Sequence, residues 1–592
     1  MEQDKTKQHI TELVDNWASE TFGIGFTFRK NQKEACVNII HSFLNKEKNY
    51  ILEAPTGSGK SIIAMIVGGV LSSYYGLKGY ILISDLSLIQ QYERDVDKYL
   101  PDWGVIKGQD NYTCVSNSMS FKLGDCQIHG KKRSYDEIMN EYSECAPTCQ
   151  YLLARQKASE SDVTVCTYHH WLTYQNPTGQ NPFAKSNMEN CGPFPRRDFI
   201  ICDEAHKLVD IIQSMYSIHL TNVERNNIDT IRAASDTIFK ELRNKIQNLF
   251  DALIEHRDNA VNVLEDLKNL RNALSDYNDK AAAVIRHNVD YGLEGGKLYK
   301  FARAYAWLGD YAETINLFVE AIKRSLDNLV VTYVENPESL TFNCLDEEYL
   351  MNKYFYPHFD SCLYMSATIG DFSLYAKNCH MRKYSSEVIP STFDFSKSPI
   401  FYCDTYKMNY ANKDANIPYI AKMINSIMDM FPTFRGCILV SSYDMADKII
   451  HGVSPQNAER ILMYKDSKDK REVLDRYRYQ DGTVIIGPSL FDGLSFDDDL
   501  CRFLVIAKVP YPDMKNNFVK KKMERNYDWY AGQASLSIIQ GVGRGVRSET
   551  DWCYSFILDG CFSALARNSG GMYSPQFRNR VIMIDENLQL KQ

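Results

Sequence analysis

The residues best suited to chemistry lie in three short runs. AlaProThrGlySerGlyLysSer, residues 54–61, follows the apolar stretch NYILE and opens onto SIIAMIVGGVL. Glycines and small residues where a strand passes into a helix leave backbone N–H groups free to ring a phosphate. Ala54, Pro55, Thr56, Gly57, Ser58 and Gly59 would form that cradle, with Ala54 in place of the first glycine of the general pattern. Lys60 would reach the β and γ phosphates, and Ser61 would ligate Mg2+. Further on, FIICDEAH ends an apolar run on Asp203 and Glu204. An Asp there can hold the Mg2+ shell, and a Glu can orient or deprotonate an attacking water. Near the far end QGVGRGVRS carries Gln540, Arg544 and Arg547 at offsets of four and three, which predicts one helical face turned toward a γ phosphate across a cleft. Alone, a DE pair is a solvated strand end and two arginines are a basic patch. In this order the three runs predict a two-unit ATP-hydrolysing motor.

A fourth constellation is built of cysteine. Most of the sixteen cysteines sit in apolar runs, where a reduced thiol is a small hydrophobe. Cys114, Cys126, Cys145 and Cys149 instead fall within 36 residues of polar, turn-rich sequence, with 11, 18 and 3 residues between them. Four thiolates suit an iron-sulfur cluster or a tetrahedral Zn2+. Paired C-x2-C knuckles would be more usual for zinc, and none is present. His129 is the substitute ligand if one cysteine is misassigned, and four unligated thiols are the plainest reading.

The elements that must position these residues are strands alternating with helices. GYILIS at 79–84, DVTVCTY, FIICDEA and CLYMSAT read as strands of one α/β unit with NYILE. A second unit, from about 386, has strands near GCILVSS, TVIIGPS and CRFLVIAKV. Between them, residues 207–291 contain no Gly and no Pro. Ile238, Leu242, Ile246, Leu249 and Leu253 recur at steps of three or four, as do Leu264, Leu267, Leu270 and Leu274, which predicts an amphipathic helical insertion. With 592 residues, 44% of them hydrophobic, the chain can bury several cores. Its net charge of −8 excludes a protein that coats nucleic acid with its whole surface, so any such contact is expected in a local groove. MEQDKTKQHITELVDNW does not read as a signal peptide, and no run of about 18 apolar residues occurs, so a soluble intracellular chain is expected. Basic runs at 131–133 and 520–522, with Tyr112, Tyr135, Tyr168 and Trp171, offer phosphate contacts and base stacking, although solvated faces and core packing explain each of them more simply.

The series FRKNQKE (28–34), EAPTGSGKS, DEAH (203–206), SAT (366–368) and QGVGRGVR resembles the superfamily 2 helicases. CQYLLARQKASESDVTVCTYHHWL, the helical insert after DEAH, and VPYPD (509–513) leading through Tyr530 and Ala534 resemble the XPD/DinG branch, iron-sulfur and DEAH-box, over nearly the whole chain. The resemblance implies an α/β fold of two RecA-like motor domains, at 1–100 plus 163–206 plus 359–385 and at 386–592. It also implies an inserted iron-sulfur domain at 101–162 and a helical arch-like domain at 207–358. Implied cofactors are ATP, Mg2+ on Ser61 and Asp203, and a 4Fe-4S cluster on Cys114, Cys126, Cys145 and Cys149. Implied activity is 5′-to-3′ translocation on single-stranded DNA and unwinding of forked DNA, in repair or replication. The chain would act as a monomer away from membranes, in cytoplasm or nucleoid if prokaryotic or viral and in the nucleus if eukaryotic. Arg29 and Gln32 would meet the nucleotide base region, and Ser366 to Thr368 would link ATP state to DNA grip. Ser84 and Gln91 lie in a segment that resembles the first DNA-contacting motif, where the usual Thr-Arg/Asn-Thr reads Ser84-Asp85-Leu86. Asp492-Gly493-Leu494-Ser495 stands where the family tends to read Glu-Gly-Ile/Val-Asp, so Asp492 and Gly493 carry over and Ser495 does not. The alternatives are a DEAH-type RNA helicase, a remodeller that does not unwind, and a scaffold with a dispensable ATPase. The clustered cysteines favour DNA. Intact Lys60, Glu204 and Arg547 speak against a scaffold.

Overall fold

The computed structural model describes residues 6–55, 57–124, 126, 135–175, 194–230, 237–286, 295–391, 394–465, 467–490, 498–546 and 551–591. Its frame is two parallel sheets. The first begins with β1 (Asn49–Glu53), β2 (Gly79–Ile83), β3 (Gly104–Ile106), β4 (Val163–Thr167) and β5 (Phe199–Asp203). The chain then makes β6 (Ile218–Thr221), β7 (Leu329–Val334) and β8 (Ser339–Cys344), a separate antiparallel sheet ordered β6-β8-β7. It returns with β9 (Ser361–Ser366) and β10 (Ser385–Val388) to complete the order β10-β1-β9-β5-β2-β4-β3. The second parallel sheet holds β11 (Ile400–Cys403), β12 (Gly436–Leu439), β13 (Ile461–Leu462), β14 (Val484–Gly487), β15 (Phe503–Ile506), β16 (Tyr554–Ile557) and β17 (Val581–Ile584), ordered β13-β14-β12-β15-β16-β11-β17.

Both faces of each central strand are covered, which is why these strands read as unbroken apolar runs rather than alternating ones. β2, β4, β5 and β9 are buried at every residue. Ile81, Ile83, Val165 and Ile201 pack toward the helices Lys7–Phe22, Gln32–Leu44 and Lys60–Tyr75. Tyr80, Leu82, Cys166, Ile200 and Cys202 face the other way, into a core that continues through the cysteine segment and the insertion after β5. The motor sheet and both insertions are therefore packed as one body.

The insertion carries the expected helices, Thr237–Glu255, Ala260–Arg286 and Gly295–Ile322. Ile246, Leu253, Leu267, Leu270 and Leu274 are buried, and Leu242, Leu249 and Leu264 pack against them. The side chain of Ile238 lies outside the described residues. The sheet β6-β8-β7 was not legible, because its strands lie apart, on either side of three long helices. Two expected boundaries move. A second unit starting at 386 would cut β10, whose Ser385 to Val388 pair with Tyr50 to Glu53 of β1. An inserted segment starting at 101 would remove β3, which pairs with β4 as an edge of the first sheet. Among the described residues no helix is long and apolar enough to cross a membrane.

Candidate active site

The carboxyl ends of β1, β5 and β9 meet in one row, because the register sets Glu53 opposite Ser366 and Asp203 opposite Met365. Ligand sites of parallel sheets form at this edge. After β1 the chain turns through Ala54, buried, with its N–H donating to the Ser366 carbonyl at 2.9 Å. Ala54 needs no glycine freedom. Gly57 and Gly59 do, at φ of +85° and +79°, and a Cβ on Gly59 would stand 2.5 Å from Gln32 Nε2. The helix begins at Lys60, capped by the left-handed Gly59. Thr56 lies outside the described residues. Pro55, Ser58 and Ser61 stand on the turn and the first helical turn, as expected of a phosphate cradle.

Gln32 and Arg29 brace this loop. Buried Gln32 donates from Nε2 to the carbonyls of Ser58 and Gly59, both at 3.2 Å, and accepts the Arg29 N–H at 3.0 Å. Arg29 donates through its guanidinium to the Gly57 carbonyl. Both residues therefore hold the loop's backbone directly.

Asp203, 2% exposed, ends β5 and accepts from the Tyr92 hydroxyl at 3.0 Å and from the Glu204 N–H at 2.9 Å. Burial pushes its carboxyl up, against the pull of Lys60. Glu204 is a non-glycine residue at φ +52°. Such a conformation costs about 1–3 kcal/mol and persists where neighbours over-determine it. Lys60 Nζ lies 3.7 Å from its Oε1, and the Ser366 hydroxyl donates to its Oε2 at 3.1 Å. Burial is the largest single influence on this carboxyl and pushes it up, but Lys60, His206 and Ser366 together hold it below the usual range. It stays ionised beside the phosphate cradle, as a water-orienting base requires.

His206 extends the row. Its Nδ1 is 2.8 Å from Ser366 Oγ and its Nε2 is 3.2 Å from Gln540 Nε2, on the helix Tyr527–Val542 of the second unit. With His206 neutral, one proton arrangement satisfies these distances. Ser366 spends its hydroxyl proton on Glu204, so it accepts from Nδ1–H, and Nε2 is left to accept from the Gln540 amide. Glu204, Ser366, His206 and Gln540 form a continuous relay between the units. The sequence assigned no role to His206; the DEAH tetrapeptide was its only signal.

Gln540 and Arg544 do not share one continuous α-helical face. The helix ends at Val542 and passes through a tighter turn, Gly543–Gly545, into extended backbone at Val546. Glycines at 541, 543 and 545 account for the early stop. Arg544 is buried beside β12, where its charge opposes the rise that burial gives the Cys437 thiol. Arg547, Asp492, Gly493 and Ser495 lie outside the described residues.

Ser84 and Asp85 serve a helix start: Asp85 accepts from Ser84 Oγ at 2.9 Å and caps Leu86–Tyr99 through the N–H groups of Ser87 and Leu88. Gln91 is exposed on that helix. Tyr168 and Trp171 are fully buried and Tyr112 nearly so, which makes them core rather than stacking surfaces. The run 131–133 and the side chain of Tyr135 lie outside the described residues.

Cys114, Cys126, Cys145 and Cys149 line one small cavity, walled by Phe121, Ile138, Ala146 and Leu152. All four are unbridged thiols. Among the described residues no three His, Cys, Asp or Glu side chains already converge as a metal site. The donor chemistry and the shared cavity nevertheless fit a thiolate-held cluster. His129 lies outside the described residues.

Residues 25–228 match the family described as type III restriction enzyme, res subunit, and residues 424–569 match the helicase C-terminal domain. The chain is 21% identical over 601 residues to the ATP-dependent DNA helicase YoaA of Escherichia coli (strain K12), covering 89% of this chain and 90% of that one. An XPD helicase structure shares the fold with a TM-score of 0.61 at 15% identity, over 95% of this chain and 100% of that one. S. tokodaii Xpd4 does so at 0.57 and 15%, over 94% and 100%. Fold and site together define a two-unit phosphate-loop motor. Within that class, its helicase C-terminal and res-subunit matches and its similarity to ATP-dependent DNA helicases and XPD structures support a superfamily 2 helicase of the XPD/DinG type.

Proposed function

We propose that this chain is an ATP-driven DNA helicase that moves 5′ to 3′ on single-stranded DNA and splits duplex against its inserted segments, in repair or replication. The observation that carries the motor reading is the relay from Glu204 through Ser366 and His206 to Gln540, which links the hydrolysing carboxylate of one unit to a helix of the other. Lys60 and the loop N–H groups bind the ATP phosphates, Arg29 and Gln32 keep the loop in shape, and Glu204 orients the attacking water. Ser61 and Asp203 would hold Mg2+, which supplies charge neutralisation between the phosphates. By the resemblance, Arg547, Asp492 and Gly493 would act on the nucleotide from the second unit. Closing of the cleft makes the His206–Gln540 contact and reopening breaks it, so hydrolysis becomes relative motion.

Cys114, Cys126, Cys145 and Cys149 hold a 4Fe-4S cluster in this reading. When bound, the cluster would cross-link the loops that carry these four cysteines. The helical insertion is the arch-like domain. DNA is favoured over RNA by the clustered cysteines and by relatives such as YoaA, which is called a DNA helicase. The protein would work as an intracellular monomer. The test is strand separation on duplexes bearing 5′ or 3′ single-stranded tails of DNA or RNA. Separation is expected from 5′ DNA tails, and a strict 3′ requirement or equal action on blunt duplex would overturn the reading.

A further inference from the structure

The two units touch at chemically different places. Near the phosphate loop the units meet through the Gln540–His206 hydrogen bond, the Asp371 N–H on Met572 Sδ at 3.4 Å and Leu374 packed on the second core, and further out through Asn526 on Asn378 at 3.1 Å and a pair between Lys377 and Asp528 at 3.3 Å, exposed on both sides. Neutral bonds and exposed pairs exchange with water at little cost. At the base of the insertion the contact is a buried ion. Lys522, 5% exposed on the helix Asn517–Arg525 of the second unit, lies 2.6 Å from Glu347 Oε1 and 3.7 Å from Asp210 Oδ1. It donates to Gln213 Oε1 at 3.1 Å and stands 4.2 Å over the ring of Trp529. Asp210 and Gln213 belong to the helix Leu208–Met215 directly after DEAH, and Glu347 opens the helix Glu347–Tyr354 that leads back to β9. Beside it, Asn517 donates to the Val331 carbonyl at 3.0 Å, and Arg525 donates to Asn328 Oδ1 at 2.9 Å and the Asp327 carbonyl at 2.6 Å.

We propose that Lys522 is a positioning residue that pins the second unit to the base of the insertion, forming the fixed end of the cleft about which the units turn in the ATP cycle. The inference rests on the motor reading. Separating the units at Lys522 would strand a buried ammonium and take the half-buried Glu347 carboxylate from its 2.6 Å partner, which is costlier than breaking a neutral hydrogen bond or an exposed pair. Opening is therefore confined to the phosphate-loop end, and Lys522 converts local closure there into rotation rather than separation. The lysine run 520–522 is thus divided: Lys520 and Lys521 are exposed, whereas Lys522 faces inward and makes no phosphate contact.

Two measurements on the full chain test this. Hydrogen exchange is followed with and without a non-hydrolysable ATP analogue plus single-stranded DNA. Protection of Leu329–Val334 and Asn517–Arg525 is expected to stay unchanged by the ligands while that around Gln540 rises; an equal change at both places would overturn the proposal. In Lys522→Met, ATP consumed per base pair separated is expected to rise at least about tenfold, with exchange at Leu329–Val334 becoming ligand-dependent. Lys515→Met, an exposed neighbour, is the control. Should Lys522→Met not fold, Asn517→Ala with Arg525→Ala removes the flanking contacts at the surface and is expected to make the same region ligand-dependent. Parent-like coupling and exchange in these variants would refute the pin. A parent unable to separate strands would refute the helicase reading instead, and the exchange result would still report on the pin.

Discussion

Replacing Gln540 with leucine removes one hydrogen bond, and the structure sets what that should cost. The amide donates to His206 Nε2 at 3.2 Å, and the His206 side chain is only 11% exposed. A neutral bond contributes about 1 kcal/mol net, and a buried acceptor left unpaired costs about 1–3 kcal/mol. Gln540 is itself half-buried, so water reaches part of the gap and the lower half of that range applies. A loss of about 1–2 kcal/mol from the closed state is a factor of about 5–30 in its population. DNA-stimulated ATP hydrolysis should fall by that factor in Gln540→Leu, while affinity for an ATP analogue, set by the loop and Lys60, changes little. His206→Ala removes the same bond. The double variant should therefore be no slower than the worse single one, a non-additivity that a double-mutant cycle reads directly. Strictly additive losses, or parent-like stimulated hydrolysis in Gln540→Leu, would refute the relay.

Lys60→Ala should lower ATP hydrolysis by at least about a hundredfold, the usual scale for losing one group that stabilises developing charge, whereas Glu204→Gln should still bind ATP in a filter or fluorescence assay; hydrolysis by Lys60→Ala at the parent rate would remove the loop assignment. Ser366→Ala deletes a hydroxyl that favours ionised Glu204, so the carboxyl rises toward its usual range and the acid limb of the pH–rate profile should move to higher pH; a limb that stays put or moves down contradicts the relay's chemistry. Anaerobically purified protein should be brown and contain iron and acid-labile sulfide, and Cys149→Ser should lose strand separation before ATP binding; a colourless protein with stoichiometric zinc would overturn the cluster.

What could be read from the chain follows burial. β1, β2, β4, β5, β9, β12, β14 and β15 are interior strands whose apolar runs are bounded by turn residues, and each was visible. β3, β10, β13 and β17 are the outer strands of the two parallel sheets. Half-solvated and two to four residues long, they carry no run to read, as the intermediate and exposed residues of Ser385–Val388 illustrate. β11 and β16 are interior and four residues long, like β12, β14 and β15, but their runs IFYC and YSFI mix aromatic and polar residues with the aliphatic ones and did not stand out. The same contrast explains the lysine run, since a helix turns every 3.6 residues and only one residue of such a triplet can face inward.

The motifs at the site were legible one by one, but their meeting was not. Glu204, Ser366 and Gln540 are brought together by a parallel register and an interdomain contact that no local spacing encodes. Glu53 illustrates the loss. It ends β1 just before the cradle and accepts the N–H groups of Ile369 and Gly370 at 2.7 and 2.8 Å, tying the loop strand to the segment after Ser366. Within the relay, distance ranks the contacts of Glu204. Lys60 at 3.7 Å is the loosest, and Ser366 at 3.1 Å is directional. A γ phosphate competes with Glu204 for the lysine, and as Lys60 turns to the phosphate the strained carboxylate leans more heavily on Ser366. Ser366 in turn meets His206 Nδ1 at 2.8 Å, and His206 Nε2 lies 3.2 Å from Gln540 Nε2. Occupancy of the cradle would thereby be felt in the second unit through a continuous chain of hydrogen bonds.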